Sequence, residues 1–170
     1  MTGPYYGKYR GVVVNNLDPN QMGRLQIMCV SVLGLNALAW ALPCVPFAGA
    51  SMPDRMPEGF FMMPSIGSNV WIEFEQGDPN GPIWTGCFWD QGGAPAPLPT
   101  TRTIVSGGAK ITLDALPGAG GITISVGPPT VAVPCEVICS VSGIEIKVGK
   151  ASIKLDPLRV MLNDGALEVM

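Results

Sequence analysis

Gly143-Ile144-Glu145-Ile146-Lys147-Val148-Gly149 repeats the pattern of Gly121-Ile122-Thr123-Ile124-Ser125-Val126-Gly127, which lies 22 residues earlier. Both stretches read Gly-Ile-x-Ile-x-Val-Gly. Apolar residues at every second position are typical of a β-strand with one apolar and one polar face. The same period continues through 151–155, 158–162 and 166–169. Residues 103–170 are therefore predicted to form short strands joined by tight turns.

No helical pattern is present to cover the apolar face of these strands. About 65 residues of this kind cannot bury such a face alone, because small domains bury too little of their surface. Repetitive strand units solve this by stacking or by association. We therefore expect copies of the chain to associate through this face. The alternative is an ordinary β-sandwich packed against the N-terminal part of the chain.

The composition of the 170 residues excludes several classes of protein. Apolar residues make up 47%, charged residues only 14%, and the net charge is −3. Disorder is not expected at this hydropathy, and a general nucleic-acid binder would normally be basic. Histidine is absent, which removes imidazole acid–base chemistry and imidazole metal ligands. No signal peptide is recognised in 1–6, and no apolar run reaches the length of a membrane span.

Glycine and proline together are about 23% of the chain, nearly twice the usual share. Between these breakers, residues 1–90 contain five short strand-like stretches. The clearest is 69–75, in which Val70, Ile72 and Phe74 are predicted to face one way and Trp71 and Glu73 the other. The other four stretches are 12–14, 25–30, 39–45 and 82–89. Five short strands in about ninety residues favour a small closed β-barrel of the OB type.

A connector separates the two parts of the chain. Residues 91–102 contain proline at alternate positions, which is typical of a semi-rigid extended linker. The predicted domains are 1–90, an OB-fold barrel, 91–102, the connector, and 103–170, the β-strand domain.

The sequence contains no convincing motif for catalysis, phosphate binding or metal binding. Residues 143–151 only approximate a phosphate-binding loop, because the spacing is wrong and Ala151 replaces the required hydroxyl residue. Glu73 and Glu75 are predicted to be solvated surface residues. The five cysteines form no CxxC pair. The thiols of Cys29, Cys44 and Cys87 are expected to be buried within the protein, and synthesis in a reducing cytosol would keep them free. Cys135 and Cys139 lack the further ligands that zinc needs. No catalytic residue, cofactor or metal is expected.

An ordered set of short motifs resembles one known family. Together the motifs resemble the OB-fold domain of the baseplate spike family, which includes phage baseplate assembly protein V and the VgrG proteins of type VI secretion. The motifs are Tyr9-Arg10-Gly11-Val12-Val13, Asp18-Pro19, Gly23-Arg24-Leu25, Trp40-Ala41, Gly67-Ser68-Asn69-Val70-Trp71-Ile72-Glu73-Phe74, Gly77-Asp78-Pro79-Asn80 and Pro82-Ile83-Trp84-Thr85-Gly86.

The resemblance implies an all-β protein whose C-terminal domain is an intertwined trimeric β-helix. It implies a homotrimer that docks on a trimeric baseplate hub, carries a separate PAAR-type tip protein and pierces the target envelope mechanically. The protein would be made in the bacterial cytoplasm and located in a baseplate. The implied trimer core is Ile122, Ile124, Val126, Ile144, Ile146, Val148, Ile153, Leu155, Val160 and Leu162, and the implied tip contact is Leu167, Val169 and Met170.

Two other functions stay open at this point. Residues 5–10 interleave tyrosines with Lys8 and Arg10, as a single-strand nucleic-acid binder does. The first alternative is therefore a nucleic-acid-binding OB protein with an oligomerising tail. A secreted β-rich enzyme is the more distant alternative, because no polar constellation indicates a catalytic pocket.

Overall fold

The computed structural model describes residues 4–35, 40–49, 56–96 and 98–169, with the backbone alone at 168 and 169. The chain divides into two compact units between Gly93 and Ala94. This division falls inside the predicted connector. Each unit is described by itself.

The first unit is a small β-structure of five strands. Their order is β2-β1-β4-β5-β3, with β3 and β5 parallel and the other neighbours antiparallel. One turn of 3-10 helix, Glu75–Gly77, follows β4. The elements are β1 (Tyr9–Asn15), β2 (Gln26–Met28), α1 (Val30–Leu33), β3 (Leu42–Pro43), β4 (Asn69–Phe74) and β5 (Pro82–Cys87).

A pair of backbone hydrogen bonds closes these strands into a barrel. Leu25, just before β2, donates its N–H to the carbonyl of Ala41 at 3.1 Å, and Ala41 donates back at 2.7 Å. Ala41 directly precedes β3, so the two outer strands of the sheet meet. The closed ring of five short strands with one parallel pair agrees with the predicted barrel.

Alternating side chains of the strands fill the barrel. Val70, Ile72 and Phe74 are buried and Trp71 and Glu73 are only partly covered, as the alternation in β4 predicted. The remaining buried core is Val13, Leu25, Ile27, Cys29, Ala41 and Trp84.

Three local predictions for the barrel are wrong. The strand predicted over 25–30 ends at Met28, and α1 begins at Val30. Cys29 is buried as expected, but Cys44 and Cys87 are exposed. Cys44 follows the last residue of β3 and Cys87 is the last residue of β5. At these strand ends the barrel no longer covers the side chain.

The second unit is a single antiparallel meander of eight strands, each paired with its sequence neighbours. It forms one sheet and not the two sheets of a sandwich. No described residue from 94 to 167 is buried, so this sheet has no core of its own. The strands are β6 (Thr101–Ser106), β7 (Ala109–Asp114), β8 (Gly121–Val126), β9 (Cys135–Ser140), β10 (Gly143–Val148), β11 (Ala151–Leu155), β12 (Val160–Leu162) and β13 (Leu167–Val169).

No helix in the described parts of the chain is long and apolar enough to cross a membrane.

Candidate assembly interface

The eight-stranded sheet carries nearly all of its apolar residues on one face. Register partners across the ladders form three rows that run perpendicular to the strands, and we call these rows the apolar face. The first row is Ile104, Ile111, Ile124, Val137, Ile146, Ile153, Leu162 and Leu167; the second is Arg102, Leu113, Ile122, Cys139, Ile144, Leu155, Val160 and Val169; the third is Ser106, Ala109, Val126, Cys135, Val148 and Ala151.

The apolar face is more exposed than the polar face in the single chain. Ile124 is 49% exposed and Val148 is 54% exposed. On the polar face, Thr123, Lys147 and Lys154 are less exposed and are half-buried. A sheet that had no partner in water would bury its apolar side chains and expose its polar ones. The distribution marks the apolar face as a candidate interaction surface.

The size of this face supports the same conclusion. Six strands of five or six residues and two of three residues, with a strand spacing of about 4.8 Å and a rise of about 3.3 Å per residue, give roughly 650 Å². The largest apolar patch on a typical monomer is about 300–600 Å². The apolar face is therefore of the size that marks an interaction surface.

The opposite face is mostly polar and makes its own contacts. Glu145 and Lys147 form an ion pair at 3.1 Å along β10. The hydroxyl of Thr103 donates to the carbonyl of Ile111 at 3.0 Å. Its apolar strand residues are Val105, Ile138 and Met161. This face is suited to water.

The register places all ten predicted core residues on the apolar face, from Ile122 to Leu162. Whether they meet those of other chains stays a prediction. Of the predicted tip residues, Leu167 is exposed on the same face. Val169 pairs with Val160 through its backbone, and Met170 lies outside the described residues.

Sequence reasoning missed further members of the face. They lie on β6, β7 and β9, whose sequences show the same two-residue alternation, and that alternation could have identified them. They are Ile104, Ile111, Leu113, Cys135, Val137 and Cys139.

Tight turns allow the strands of the meander to follow one another. The carboxylate of Asp156 accepts backbone hydrogen bonds from Leu158 at 2.8 Å and Arg159 at 3.0 Å. The bond from Leu158 is the largest cause that holds the pKa of Asp156 below its ordinary value. Gly143 has φ +117° and lies against the backbone of Leu155, so a side chain would not fit there.

The aromatic and basic side chains of 5–10, proposed above as a nucleic-acid patch, have partners within the barrel. The rings of Tyr5 and Tyr9 pack against Phe74 with centroid distances of 5.9 and 5.5 Å. Lys8 forms an ion pair with Glu73 at 2.8 Å. Of the three tyrosines in 5–10, Tyr6 is the one whose ring is exposed, at 71%.

Arg10 extends the same outer surface of the barrel. Its guanidinium lies 5.8 Å from the ring centroid of Trp71 and 5.3 Å from that of Phe88, and the two rings stack at 4.6 Å. Cation–π contacts of this kind hold the side chain in place.

One turn of the barrel is held rigidly by an ion pair. Asp18 binds Arg24 at 2.7 Å and also accepts the backbone N–H groups of Asn20 and Met22. The hydrogen bonds from the Arg24 side chain are the main reason why the pKa of Asp18 lies well below its usual range. The indole N–H of the buried Trp84 donates to the carbonyl of Gly23 at 3.1 Å, so the turn is also tied to the core.

Exposed apolar side chains lie beside this turn. Asn16 donates to the carbonyl of Pro64 at 3.0 Å and joins the turn to the loop that precedes β4. The two segments together line a cleft, with Leu17 79% and Phe61 77% exposed at its rim. We call this surface the barrel patch; its exposed apolar residues are Leu17 and Phe61, with Met22 in the same turn.

Within the described residues, no group of three or more cysteine or carboxylate side chains is placed to hold a metal ion. Residues 143–151, considered above as a phosphate loop, form β10, a tight turn and the start of β11.

Comparison with known proteins identified both units. Residues 9–89 match the family of the type VI secretion system/phage-baseplate injector OB domain. Residues 102–168 match the family of the phage baseplate V C-terminal trimerisation domain. No match was found among the curated proteins.

Proposed function

The chain belongs to the phage baseplate V family, and from this premise we propose that it is the central spike of a contractile injection machine. In this role three chains form a rigid rod that the machine drives through the target envelope. The single observation that carries the proposal is the uncovered apolar face of β6 to β13. The role is mechanical, and we propose no enzymatic activity.

The dimensions of the sheet suit a three-sided rod. A six-residue strand is about 20 Å long, and a triangular prism with sides of about 20 Å has its axis about 6 Å from each side. Packed sheets lie about 10 Å apart, so side chains reach about 5 Å from the sheet to the midplane. Three apolar faces would therefore fill the interior without leaving a channel.

Sheet twist would wind the three chains around one another. Adjacent strands are rotated by about 20–25° about an axis perpendicular to the strands, which in the prism is the rod axis. Over eight strands this accumulates to roughly 150°. The three meanders would wrap into the intertwined β-helix expected from the resemblance, and no chain could leave without breaking many contacts together.

The barrel patch is suited to docking on the trimeric hub. It presents large apolar side chains such as Leu17 and Phe61 on a turn that the Asp18–Arg24 ion pair fixes. Preorganised surfaces lose little entropy on binding. At the other end of the chain, β13 forms an open edge of the sheet, where a separate PAAR-type tip protein would bind.

Injection by particles tests this function directly. Particles would be assembled with the wild-type chain or with a chain truncated after Gly93, and permeabilisation of target cells would be measured. We expect the truncated chain to be incorporated through its barrel but to abolish permeabilisation. Equal permeabilisation by both particles would contradict the piercing role. The site of synthesis, the bacterial cytoplasm, follows from assembly of such machines inside the cell and is part of the proposal.

A further inference from the structure

Arg102 is the one charged residue in the rows of the apolar face. It occupies the second row on β6, where its register partner is Leu113 and the next member of the row is Ile122. Ile104, two residues later on the same strand, lies on the same face. The alternation that places these aliphatic residues on the apolar face therefore places Arg102 there too.

The guanidinium of Arg102 has no acidic partner among the described residues. Its hydrogen bond is a long one, from Nη1 to the carbonyl of Thr100 at 3.4 Å. None of the four ion pairs between described side chains includes it. The rows of the apolar face contain no carboxylate that a second copy of the chain could offer.

The proposed trimer would bring three copies of Arg102 to the rod axis. Three like charges at close range in an apolar interior are unfavourable, because each is desolvated and repels the others. β6 is an open edge of the sheet, so this layer lies at one end of the rod interior. A bound anion would remove the repulsion.

We propose that the three Arg102 side chains form an anion site on the three-fold axis that takes one small tetrahedral oxyanion such as phosphate. The inference rests on the proposed function, since the site exists only in the trimer. The planar guanidinium fork donates two parallel hydrogen bonds to an oxyanion. Three forks around one axis match the oxygens of a single phosphate.

Inorganic phosphate is the probe for this site. The full-length protein would be titrated with phosphate at constant ionic strength by calorimetry, and its mass would be recorded under the same conditions. We expect saturable binding of one phosphate per three chains and a rise in Tm of the trimer. Arg102→Leu should abolish binding and raise the Tm of the phosphate-free trimer, because it removes the repulsion and adds an apolar group. Lys154→Gln removes a positive charge from the opposite face and should leave phosphate binding unchanged.

The outcomes separate this inference from its premise. A trimer that binds no phosphate, or that binds one phosphate per chain, would overturn the axial site and leave the spike proposal intact. Phosphate binding that persists in Arg102→Leu would overturn it too. Loss of binding in Lys154→Gln would show general charge attraction and overturn it. If the protein is a monomer, both the site and the spike proposal are wrong.

Discussion

Ile124 of β8 and Ile146 of β10 are both register partners of Val137 on β9. The Gly-Ile-x-Ile-x-Val-Gly repeat therefore flanks β9 symmetrically, and equivalent residues lie in the same row. Two strand spacings separate the two isoleucines, about 9 to 10 Å. The sequence repeat therefore produces a continuous apolar strip, which is exposed to solvent in the single chain.

A charge in the centre of this strip should prevent assembly. In Ile146→Asp, three carboxylates would enter one layer of a dry interior, each with a large desolvation cost. We expect the trimer to be lost at micromolar concentration while the barrel stays folded. Sedimentation velocity would measure the first effect and tryptophan fluorescence the second, because all four tryptophans lie between residues 40 and 89.

Thr123→Asp is the matched control for this variant. It introduces the same charge on β8, two strands away from β10 in the sheet, but on the polar face, and the trimer should form normally. If Ile146→Asp trimers melt like the parent, the assignment of inner and outer faces is wrong.

The cysteines should report the interface through their reactivity. Cys44 is exposed and should react rapidly with a thiol reagent. Cys87 should react more slowly, because desolvation raises the pKa of its thiol and thiolate is the reactive form. Cys135 and Cys139 lie on the apolar face and should be protected until the chains separate. Peptide mapping by mass spectrometry after timed labelling would give each rate. Labelling of Cys135 and Cys139 at the rate of Cys44 in the native protein would contradict a covered face.

The Asp18–Arg24 ion pair should make barrel stability depend on pH. The pKa of Asp18 is lowered in the folded protein, so the ion pair stabilises the barrel fully above about pH 4, the ordinary pKa of aspartate. This contribution is lost as the pH falls below that value through the lowered pKa of the folded state. Asp18→Asn should therefore lower Tm at pH 7, and the difference from the parent should shrink at acid pH. A difference in Tm that does not change with pH would show that the carboxylate charge is not the cause.

Removal of residues 166–170 should abolish binding of the tip protein and leave the trimer intact. The deletion removes β13, the strand at one edge of the sheet, while the longer strands β6 to β11 keep most of the apolar face. Pull-down of the tip protein and a mass measurement would test the two parts. Leu158→Ser, which changes a highly exposed residue in the turn before β12, is the control and should bind normally. Purified particles that contain the spike but no second tip polypeptide would contradict this prediction.

Alternation was the part of the fold that the sequence predicted best. In β4, β8, β10 and β11 each apolar position was assigned to the correct face, because a two-residue period leaves no freedom once a strand exists. The helix at Val30–Leu33 was not predicted, since Val30 and Val32 have strand propensity. There the ladder with β1 ends at Met28, and the N–H of Leu33 bonds to the carbonyl of Cys29 at 3.0 Å instead.

The limits of strands were harder to predict than their faces. An apolar stretch of sequence does not show at which residue the neighbouring strands cease to cover it. For this reason Cys44 and Cys87, which lie at strand ends, were wrongly expected to be buried. Arg102 was assigned to the connector because proline-rich sequence precedes it, yet β6 begins at Thr101. Its place on the apolar face became visible only through its register with Leu113.

The mass of the full-length protein in solution tests the central claim most directly. Light scattering coupled to size-exclusion chromatography, at micromolar concentration and neutral pH, would measure it without reference to any partner. The account predicts a single species at three times the chain mass of 17.8 kDa that resists dissociation by detergent. A stable folded monomer of 17.8 kDa would contradict the covered apolar face, and with it the spike.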